Sequence, residues 1–287
     1  MVLKIGLLGC GRIGQVHARS IRALERARNG ARVVAVADAV PAAAEALASD
    51  TGAEIRAAEA ILAAVDVDAV VIGTPTDTHF GLIHGAARHG KAIFCEKPID
   101  MSVENIRACM EAVSAAGVPF MTGFNRRFDP NFAALRARID AGGIGSVELA
   151  TITSRDPAPP PISYIARSGG LFRDMMIHDF DMARFLMGDE FVTLLAVGAA
   201  LVDPAVGEAG DVDTAAVLLT TASGRICQIS NSRRAAYGYD QRIEVHGAKG
   251  MLRAENQLET TVELATEAGF RRDPAQHFFL ERYGAAY

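Results

Sequence analysis

The feature that most constrains the fold is a regular alternation, in the first 123 residues, between short apolar runs and alanine-rich segments of helical length. Strands are predicted at residues 2–8, 32–37, 69–73, 92–95 and 119–122, with helices between them that include 13–28, 41–51 and 103–116. Strands that are apolar on both faces and alternate with helices are typical of a parallel sheet covered by helices on both sides. The pattern predicts a doubly wound (Rossmann) α/β domain at residues 1–123.

The pattern changes after Gly123. A helix is predicted at 129–140, ended by two glycines, followed by a proline-rich loop and a second helix at 171–187. Strands without intervening helices are then predicted at 191–202, 212–221, 225–232, 242–246 and 260–265. Such runs indicate a mostly antiparallel sheet, so residues 124–287 are expected to form an α+β domain. The start of a helix is predicted within segment 276–287, the last residues of the sequence.

Composition excludes several classes of function. A net charge of −5 argues against a nucleic-acid partner, which needs a concentrated basic face. No apolar run approaches the roughly 20 residues that span a bilayer, so no membrane partner is expected. The four cysteines have neither CxxC nor zinc-ligand spacing. We therefore expect free thiols in the reducing cytoplasm and no bound metal.

A glycine-rich turn predicts a dinucleotide site. Gly9, Gly11 and Gly14 have G-x-G-x-x-G spacing, follow a predicted strand and open a predicted helix. The first glycine permits the turn, the second admits the pyrophosphate, and the third allows close packing of helix on strand. Amides at the helix N-terminus would bind the phosphates. The alternative is a structural glycine turn.

The next predicted strand ends in Asp38, near the position of the acid that binds the adenosine ribose. Its carboxylate would repel a 2′-phosphate, and residues 39–41 offer no cation, so NAD is favoured over NADP. The alternative is a helix-capping aspartate. The expected cofactor-binding residues are Gly9, Gly11, Arg12, Ile13, Gly14, Asp38, Thr74, Pro75 and Glu96.

Two of those residues, Thr74 and Pro75, follow the strand at 69–73, where loops line the ligand crevice of such a sheet. They are predicted to form walls of the nicotinamide pocket. The same segment also fits a helix start, with Thr76 or Asp77 as N-cap. His79 and His84 are interpreted as structural.

Glu96-Lys97-Pro98 follows the next strand at the same edge of the sheet. A lysine there would point into the crevice and serve as a proton acceptor or relay. Pro98 fixes the backbone so that Lys97 is aimed, and a cis bond is one way to do so. The alternative is a solvated lysine at a strand end.

The helix predicted from 171 carries Asp174, His178 and Asp181 on one face. A carboxylate one turn from an imidazole can orient it for proton transfer, which favours a catalytic pair over an exposed surface pair. No third ligand group accompanies them, so a metal is not predicted.

Asn125 and Arg127, at the domain crossover, are candidates for binding substrate hydroxyls. Tyr237 and Tyr239 are candidates for contacting a polyol ring, unless their segment is an ordinary turn.

Four motifs in order along the chain resemble those of the Gfo/Idh/MocA oxidoreductase family: the glycine-rich turn, Thr74-Pro75, Glu96-Lys97-Pro98 and the Asp174–His178 pair. The resemblance covers the whole chain, and segments 123–128 and 231–242 are most similar to the inositol 2-dehydrogenases of that family. The resemblance implies NAD-dependent oxidation of myo-inositol (or the scyllo isomer) to a ketone. It also implies a catalytic set of Lys97, Asp174 and His178, substrate contacts by Tyr237 and Tyr239, and a tetramer joined through the second-domain sheet. Family members usually continue beyond this point with helices that return to the first domain, so the C-terminal end is expected to be incomplete.

Three alternatives remain open from the sequence. The same chemistry could act on another sugar or cyclic polyol, because this fold supports many substrates. A non-catalytic, NAD-binding sugar sensor is a second alternative, although such a protein is expected to have lost Lys97 or His178. An inactive fragment is the third.

Overall fold

The computed structural model describes residues 2–28 and 30–287. Met1 and Asn29, which fall in the predicted first domain, lie outside the described residues. The chain forms two compact units. The first comprises the described residues up to Phe124 together with Tyr287, and the second comprises Asn125–Ala286. None of the helices in the described part of the chain is both long and apolar enough to cross a membrane.

The first unit is a six-stranded parallel sheet in the order β3-β2-β1-β4-β5-β6. Its strands are β1 (Leu3–Leu8), β2 (Ala31–Ala37), β3 (Glu54–Ile55), β4 (Ala69–Ile72), β5 (Ala92–Cys95) and β6 (Phe120–Thr122). Its helices are α1 (Arg12–Arg28), α2 (Pro41–Thr51), α3 (Ala58–Ala63), α4 (His79–Arg88) and α5 (Val103–Ala116). The five predicted strands and three predicted helices are confirmed, to within a residue or two at their ends.

Apolar side chains cover both faces of this sheet. One buried cluster joins Leu8, Ile72 and Cys95 to Ile83 of α4 and Cys109 of α5. A second cluster, drawn from β1, β2 and their neighbours, packs against α1 and α2. Burial on both faces explains why the strands are continuous apolar runs in the sequence.

The second unit contains a six-stranded sheet in the order β12-β11-β7-β10-β9-β8. Its strands are β7 (Val147–Arg155), β8 (Phe191–Ala199), β9 (Thr214–Thr221), β10 (Ile226–Ser232), β11 (Asp240–Gly247) and β12 (Gly250–Ala254). Only the β7–β10 pair is parallel in this sheet, which confirms the mostly antiparallel prediction. A separate hairpin consists of β13 (Glu263–Thr266) and β14 (Gly269–Arg272).

The helices of the second unit are α6 (Pro130–Asp140), α7 (Ile162–Ser168), α8 (Ile177–Met187), α9 (Pro204–Glu208) and α10 (Phe279–Tyr283). Asp129 caps α6 by accepting hydrogen bonds from the amides of Asn131 and Phe132. The short α10 confirms the predicted C-terminal helix. Strand β7, at the centre of the sheet, was not predicted, because its buried positions include Ser154 and Ala150 rather than an alternation of large apolar residues.

The predicted helix at 171–187 is wrong in its first part. Residues Leu171–Met175 form a π-helical turn, in which the amide of Met176 donates to the carbonyl of Leu171, and α8 begins only at Ile177. Asp174 therefore precedes α8. It does not share a continuous helical face with His178 and Asp181, as the spacing in the sequence suggested.

Candidate active site

The glycine-rich turn between β1 and α1 has the geometry of a dinucleotide-binding turn. Gly9 has a φ of 95°, and a Cβ there would lie 2.6 Å from the carbonyl group of Gly73. A Cβ on Gly14 would lie 1.9 Å from the carbonyl oxygen of Gly9. Both positions therefore require glycine, because β1, β4 and α1 approach one another too closely for a side chain.

Gly11 differs from the other two glycines, because a Cβ there would meet nothing within 4 Å. Its backbone faces open space directly before Arg12, the first residue of the 17-residue helix α1. Amides at a helix N-terminus bind phosphate. An exposed glycine backbone at this point fits a pyrophosphate group.

Asp38 lies immediately after β2 and is tied to the glycine-rich turn. One carboxylate oxygen accepts a hydrogen bond from the amide of Cys10 (2.6 Å), and the other accepts one from the amide of Val40 (2.8 Å). Burial, together with the nearby charge of Asp38, raises the pKa of the Cys10 thiol to about 11, so that thiol stays protonated. The carboxylate is thus fixed at the end of β2, beside the glycine-rich turn, and residues 39–41 include no cation. A contact between Asp38 and a ribose stays a prediction.

The loop after β4 contains Thr74 and Pro75. The Thr78 hydroxyl lies 2.7 Å from both the Thr74 hydroxyl and the Pro75 carbonyl. Residues Thr76–Thr78 form a 3₁₀ turn, and α4 begins at His79. The alternative in which Thr76 or Asp77 is the N-cap is wrong, since Thr78 occupies that position and makes no side-chain cap bond.

The loop after β5 contains Glu96, Lys97 and Pro98. Glu96 Oε1 lies 2.7 Å from Nε2 of His17, a buried residue of α1. Lys97 is partly buried, and the Lys97–Pro98 peptide bond is cis. His17 was not predicted as a site residue, although its position three residues after Gly14, on the helix that follows the glycine-rich turn, was a usable signal.

Asp174 is held by two residues that were not predicted to belong to the site. The Tyr164 hydroxyl donates to Asp174 Oδ1 (2.9 Å), and the Arg233 guanidinium donates to Oδ2 (3.4 Å). Arg233 is almost fully buried, and its guanidinium also lies 3.9 Å from Asp156. Burial raises the pKa of Asp156 to about 6, although Arg233 and Arg126 oppose the shift.

Asn125 and Arg127 lie in the turn Asn125–Phe128, before α6. Asn125 is buried, whereas Arg127 is partly exposed. The Arg127 guanidinium makes two hydrogen bonds to Asp181, at 2.8 and 2.5 Å, and lies 5.2 Å from the centre of the Phe185 ring. Asp181 therefore orients Arg127. Contact of Asn125 or Arg127 with a substrate stays a prediction.

Tyr237 and Tyr239 have different surroundings. The Tyr237 ring is half exposed, and its hydroxyl donates to Asp240 (2.6 Å) and accepts from Arg155 (3.1 Å). Tyr239 is buried, with its ring 6.2 Å from that of Tyr283. Burial raises the pKa of the Tyr239 phenol well above its ordinary value, which keeps it neutral. Their contact with substrate stays a prediction.

Within residues 2–28 and 30–287, no three His, Cys, Asp or Glu side chains are grouped as a metal site. The candidate site residues are groups suited to nucleotide binding and proton transfer. The first unit offers a nucleotide turn, a fixed carboxylate and a partly buried lysine, and the second offers an aspartate held beside the helix that carries His178.

Comparison with known proteins gives matches along the chain. Residues 3–124 match a family described as an oxidoreductase family with an NAD-binding Rossmann fold, and residues 132–253 match the GFO/IDH/MocA C-terminal domain. An inositol 2-dehydrogenase of Rhizobium meliloti is 59% identical over 287 residues, which are 100% of this chain and 86% of that protein.

Two solved structures are also similar. A myo-inositol dehydrogenase from Corynebacterium glutamicum is 46% identical with a TM-score of 0.94, covering 100% of this chain and 85% of that one. The scyllo-inositol dehydrogenase of Lactobacillus casei, solved with NAD(H) and scyllo-inositol, is 32% identical with a TM-score of 0.90, covering 100% and 86%.

Proposed function

This chain belongs to the Gfo/Idh/MocA oxidoreductase family, and we propose that it catalyses the NAD-dependent oxidation of one ring hydroxyl of myo-inositol or scyllo-inositol to the ketone. The observation that carries the proposal is the 59% identity, along the whole chain, to an inositol 2-dehydrogenase. The site supports it, because the glycine-rich turn, Asp38, Lys97 and His178 supply the groups that such a reaction needs.

We assign NAD binding to residues 1–123 and substrate binding to residues 124–287. Gly9, Gly11, Arg12, Ile13 and Gly14 would hold the pyrophosphate, Asp38 the adenosine ribose, and Thr74, Pro75 and Glu96 the nicotinamide end. NAD⁺, when bound, supplies the acceptor for the hydride that leaves the substrate carbon. The hydrogen bonds that fix Asp38 support NAD rather than NADP, because a held carboxylate cannot turn away from a 2′-phosphate.

The chain's own residues must remove the hydroxyl proton. We assign this step to His178, oriented by Asp174, while Lys97 hydrogen-bonds the same oxygen or relays the proton. The contacts of Asp174 with Tyr164 and Arg233 support its role as an orienting group, because they fix both carboxylate oxygens. Asn125, Arg127, Tyr237 and Tyr239 would bind the remaining hydroxyls of the ring.

The experiment that tests this proposal measures NADH formation with a panel of inositols and aldoses, with NAD or NADP. We expect turnover with myo- or scyllo-inositol and NAD. Lys97→Met and His178→Asn should each lower kcat by roughly 100-fold or more, the range typical of lost acid–base catalysis. The double variant should lose much less than the product of the single losses, because the two groups serve one proton transfer.

Matched controls are available for both variants. Lys249→Met alters a lysine in the β11–β12 turn, and His246→Asn alters an exposed histidine of β11, so neither should change kcat. Turnover of an aldose but no inositol would contradict the substrate assignment. A Lys97→Met enzyme with wild-type kcat would remove Lys97 from the mechanism.

The cofactor assignment has its own test in Gly11→Ala. A Cβ there meets no protein atom within 4 Å, so the variant should fold normally but weaken NAD binding by roughly 10-fold or more, since the methyl group occupies the path of the pyrophosphate. Gly81→Ala, where a Cβ also meets nothing, is the control. Equal NAD affinity in both variants would contradict the assignment.

We also propose that the second-unit sheet joins copies of this chain into a tetramer. Edge strand β8 is exposed along almost its whole length on both faces, and Val192, Leu194, Leu195 and Val197 are each 59 to 67% exposed. An exposed, apolar edge strand invites pairing with another chain, and most protein oligomers are symmetric assemblies of identical chains. A second copy is therefore the partner that we assign to this strand.

Leu195→Arg should lower the mass measured by light scattering to that of a smaller assembly. Val65→Arg, which alters an isolated and almost fully exposed valine of the first unit, should leave the mass unchanged. A wild-type protein that is monomeric at micromolar concentration would contradict the proposal.

We also propose that the protein is cytoplasmic. Its four free, buried cysteines support this, because thiols stay reduced in the cytoplasm.

A further inference from the structure

His79 connects the two loops that follow β4 and β5. It is the first residue of α4, and only 1% of its surface is exposed. Its Nδ1 lies 3.0 Å from the carbonyl oxygen of Pro98, one residue after Lys97. Its Nε2 lies 2.9 Å from the carbonyl oxygen of Thr74. One buried ring thus touches the backbone of both loops.

The chemistry of these contacts is constrained by their partners. A carbonyl oxygen can only accept, so each ring nitrogen forms a hydrogen bond here only when it carries a hydrogen. Because the His79 ring is buried, a carbonyl that loses its N–H donor on the side facing the ring must find another partner, at a cost in free energy. The ring therefore determines where each of the two loops can lie.

The loops do not depend equally on His79. The Thr74 loop is also closed on itself, because the Thr78 amide donates to the Pro75 carbonyl (3.0 Å) and the Thr78 hydroxyl contacts Thr74 and Pro75. The bond to Pro98 instead connects residues 19 apart in sequence, from a helix to the loop of Lys97. Loss of the Nδ1 bond should therefore disturb the loops more than loss of the Nε2 bond.

We propose that His79 is a positioning residue for Lys97. Through Nδ1 it holds the Pro98 carbonyl, and so fixes the direction in which the neighbouring Lys97 presents its amine to the substrate oxygen. Its Nε2 contacts the Thr74 carbonyl and donates to it as well only when both ring nitrogens carry hydrogen, so the Nδ1 bond alone carries the proposed role. This inference rests on the proposed role of Lys97 in the reaction.

Two substitutions separate the two bonds. Asparagine places its amide nitrogen near the position of the histidine Nδ1, whereas glutamine reaches the position of Nε2. We expect His79→Asn to keep the Pro98 bond, and with it kcat within about 3-fold of wild type. We expect His79→Gln to keep only the Thr74 bond and to lower kcat by roughly 10- to 100-fold, the scale of a 1 Å misplacement of a reacting group. The KM for NAD should change little in His79→Gln.

A double variant tests whether the effect passes through Lys97. In the Lys97→Met background, His79→Gln should cause almost no further loss of kcat, because the group that it positions is already absent. His89→Gln is the matched control, since His89 lies at the exposed C-terminal end of α4, with Nδ1 2.8 Å from the Gly85 carbonyl. It should leave all kinetic constants unchanged.

The outcomes distinguish this inference from the proposed function. If the wild-type enzyme oxidises no inositol, or Lys97→Met is fully active, the proposed function fails. If Lys97→Met is inactive but the two His79 variants have equal kcat, or if the losses at 79 and 97 multiply, the positioning role fails.

A second measurement covers the case in which the variants do not fold. Nitrogen-15 chemical shifts of the wild-type imidazole report which ring nitrogens carry hydrogen. A protonated Nδ1 supports the role. A His79 ring that carries hydrogen only on Nε2 overturns it.

Discussion

The two units of this chain bury different kinds of side chain. Among the described residues, the first unit buries three polar or charged side chains, His17, His79 and Lys91, whereas the second buries fourteen, including Arg126, Asp179 and Arg233. The first unit is held by apolar clusters on the two faces of a parallel sheet. The second contains ion pairs in its interior, which cost desolvation energy and are stable only while every partner is present.

The Arg126–Asp179 pair illustrates the second kind of core. The Arg126 guanidinium donates to Asp179 (2.5 Å) and to Ser154, while Asn231 donates to the other Asp179 oxygen (2.8 Å). Burial raises the pKa of Asp179, with Arg126 opposing the shift. The network joins the turn before α6 to α8, β7 and β10, so its members constrain elements far apart in the chain.

The largest effect should come from breaking this network. Asp179→Ala leaves the buried Arg126 guanidinium without its counter-charge, and should lower the free energy of unfolding by about 3–5 kcal/mol. Urea unfolding followed by tyrosine fluorescence measures it, because the chain has no tryptophan and four of its five tyrosines lie in the second unit.

The control for Asp179→Ala is Asp140→Ala, which breaks an exposed pair with Arg136 one turn away on α6. That pair should contribute less than about 1 kcal/mol. Similar losses in the two variants would show that burial of the ion pair does not matter, and would remove the contrast between the units.

A smaller loss is expected in the apolar core of the first unit. Leu8 is 1% exposed at the end of β1, and Leu8→Ala should cost about 3 kcal/mol through lost burial and the cavity that remains. Circular dichroism during urea unfolding measures this loss. Leu24→Ala, on the exposed side of α1, should change stability by less than about 0.5 kcal/mol. A Leu8→Ala loss no larger than that of Leu24→Ala would contradict apolar packing as the basis of this unit.

The smallest effect should depend on pH. The pKa of Asp156 is raised from 3.8 to about 6 in the folded protein, so folding favours its protonated form. The resulting stabilisation is complete below about pH 4 and is lost as the pH rises through about 6. Asp156→Asn stays neutral, so its stability relative to wild type should increase between pH 4 and 6 by about 1–2 kcal/mol, and then level off.

Thermal or urea unfolding of the two proteins across this range tests the prediction for Asp156. Because the other carboxylates are common to both, the difference between them isolates residue 156. A difference that is constant with pH would mean that Asp156 titrates as an ordinary exposed aspartate in the folded protein.

The same contrast explains which parts of the fold could be predicted. Five of the six parallel strands of the first unit are apolar runs, and these five were predicted to within a residue or two. The sixth, β3, was missed because it has only two residues and both are exposed. Strand β7 was missed because its buried face includes Ser154, which belongs to the polar network and breaks the alternation of apolar residues. The π-helical turn at Leu171–Met175 was missed because i, i+4 spacing also fits a regular α-helix.

What the sequence by itself determined is the nucleotide-binding turn and the parallel sheet that carries it, because glycine spacing and apolar runs act over a few neighbouring residues. The tertiary structure alone decided the partners of the candidate site: Arg233 on Asp174, 59 residues away, His17 on Glu96, 79 residues away, and His79 on both loops. Each of these contacts depends on which strands and helices become neighbours. A hydrogen bond across such distances leaves no local pattern in the chain, because its strength depends on burial and geometry that exist only after folding.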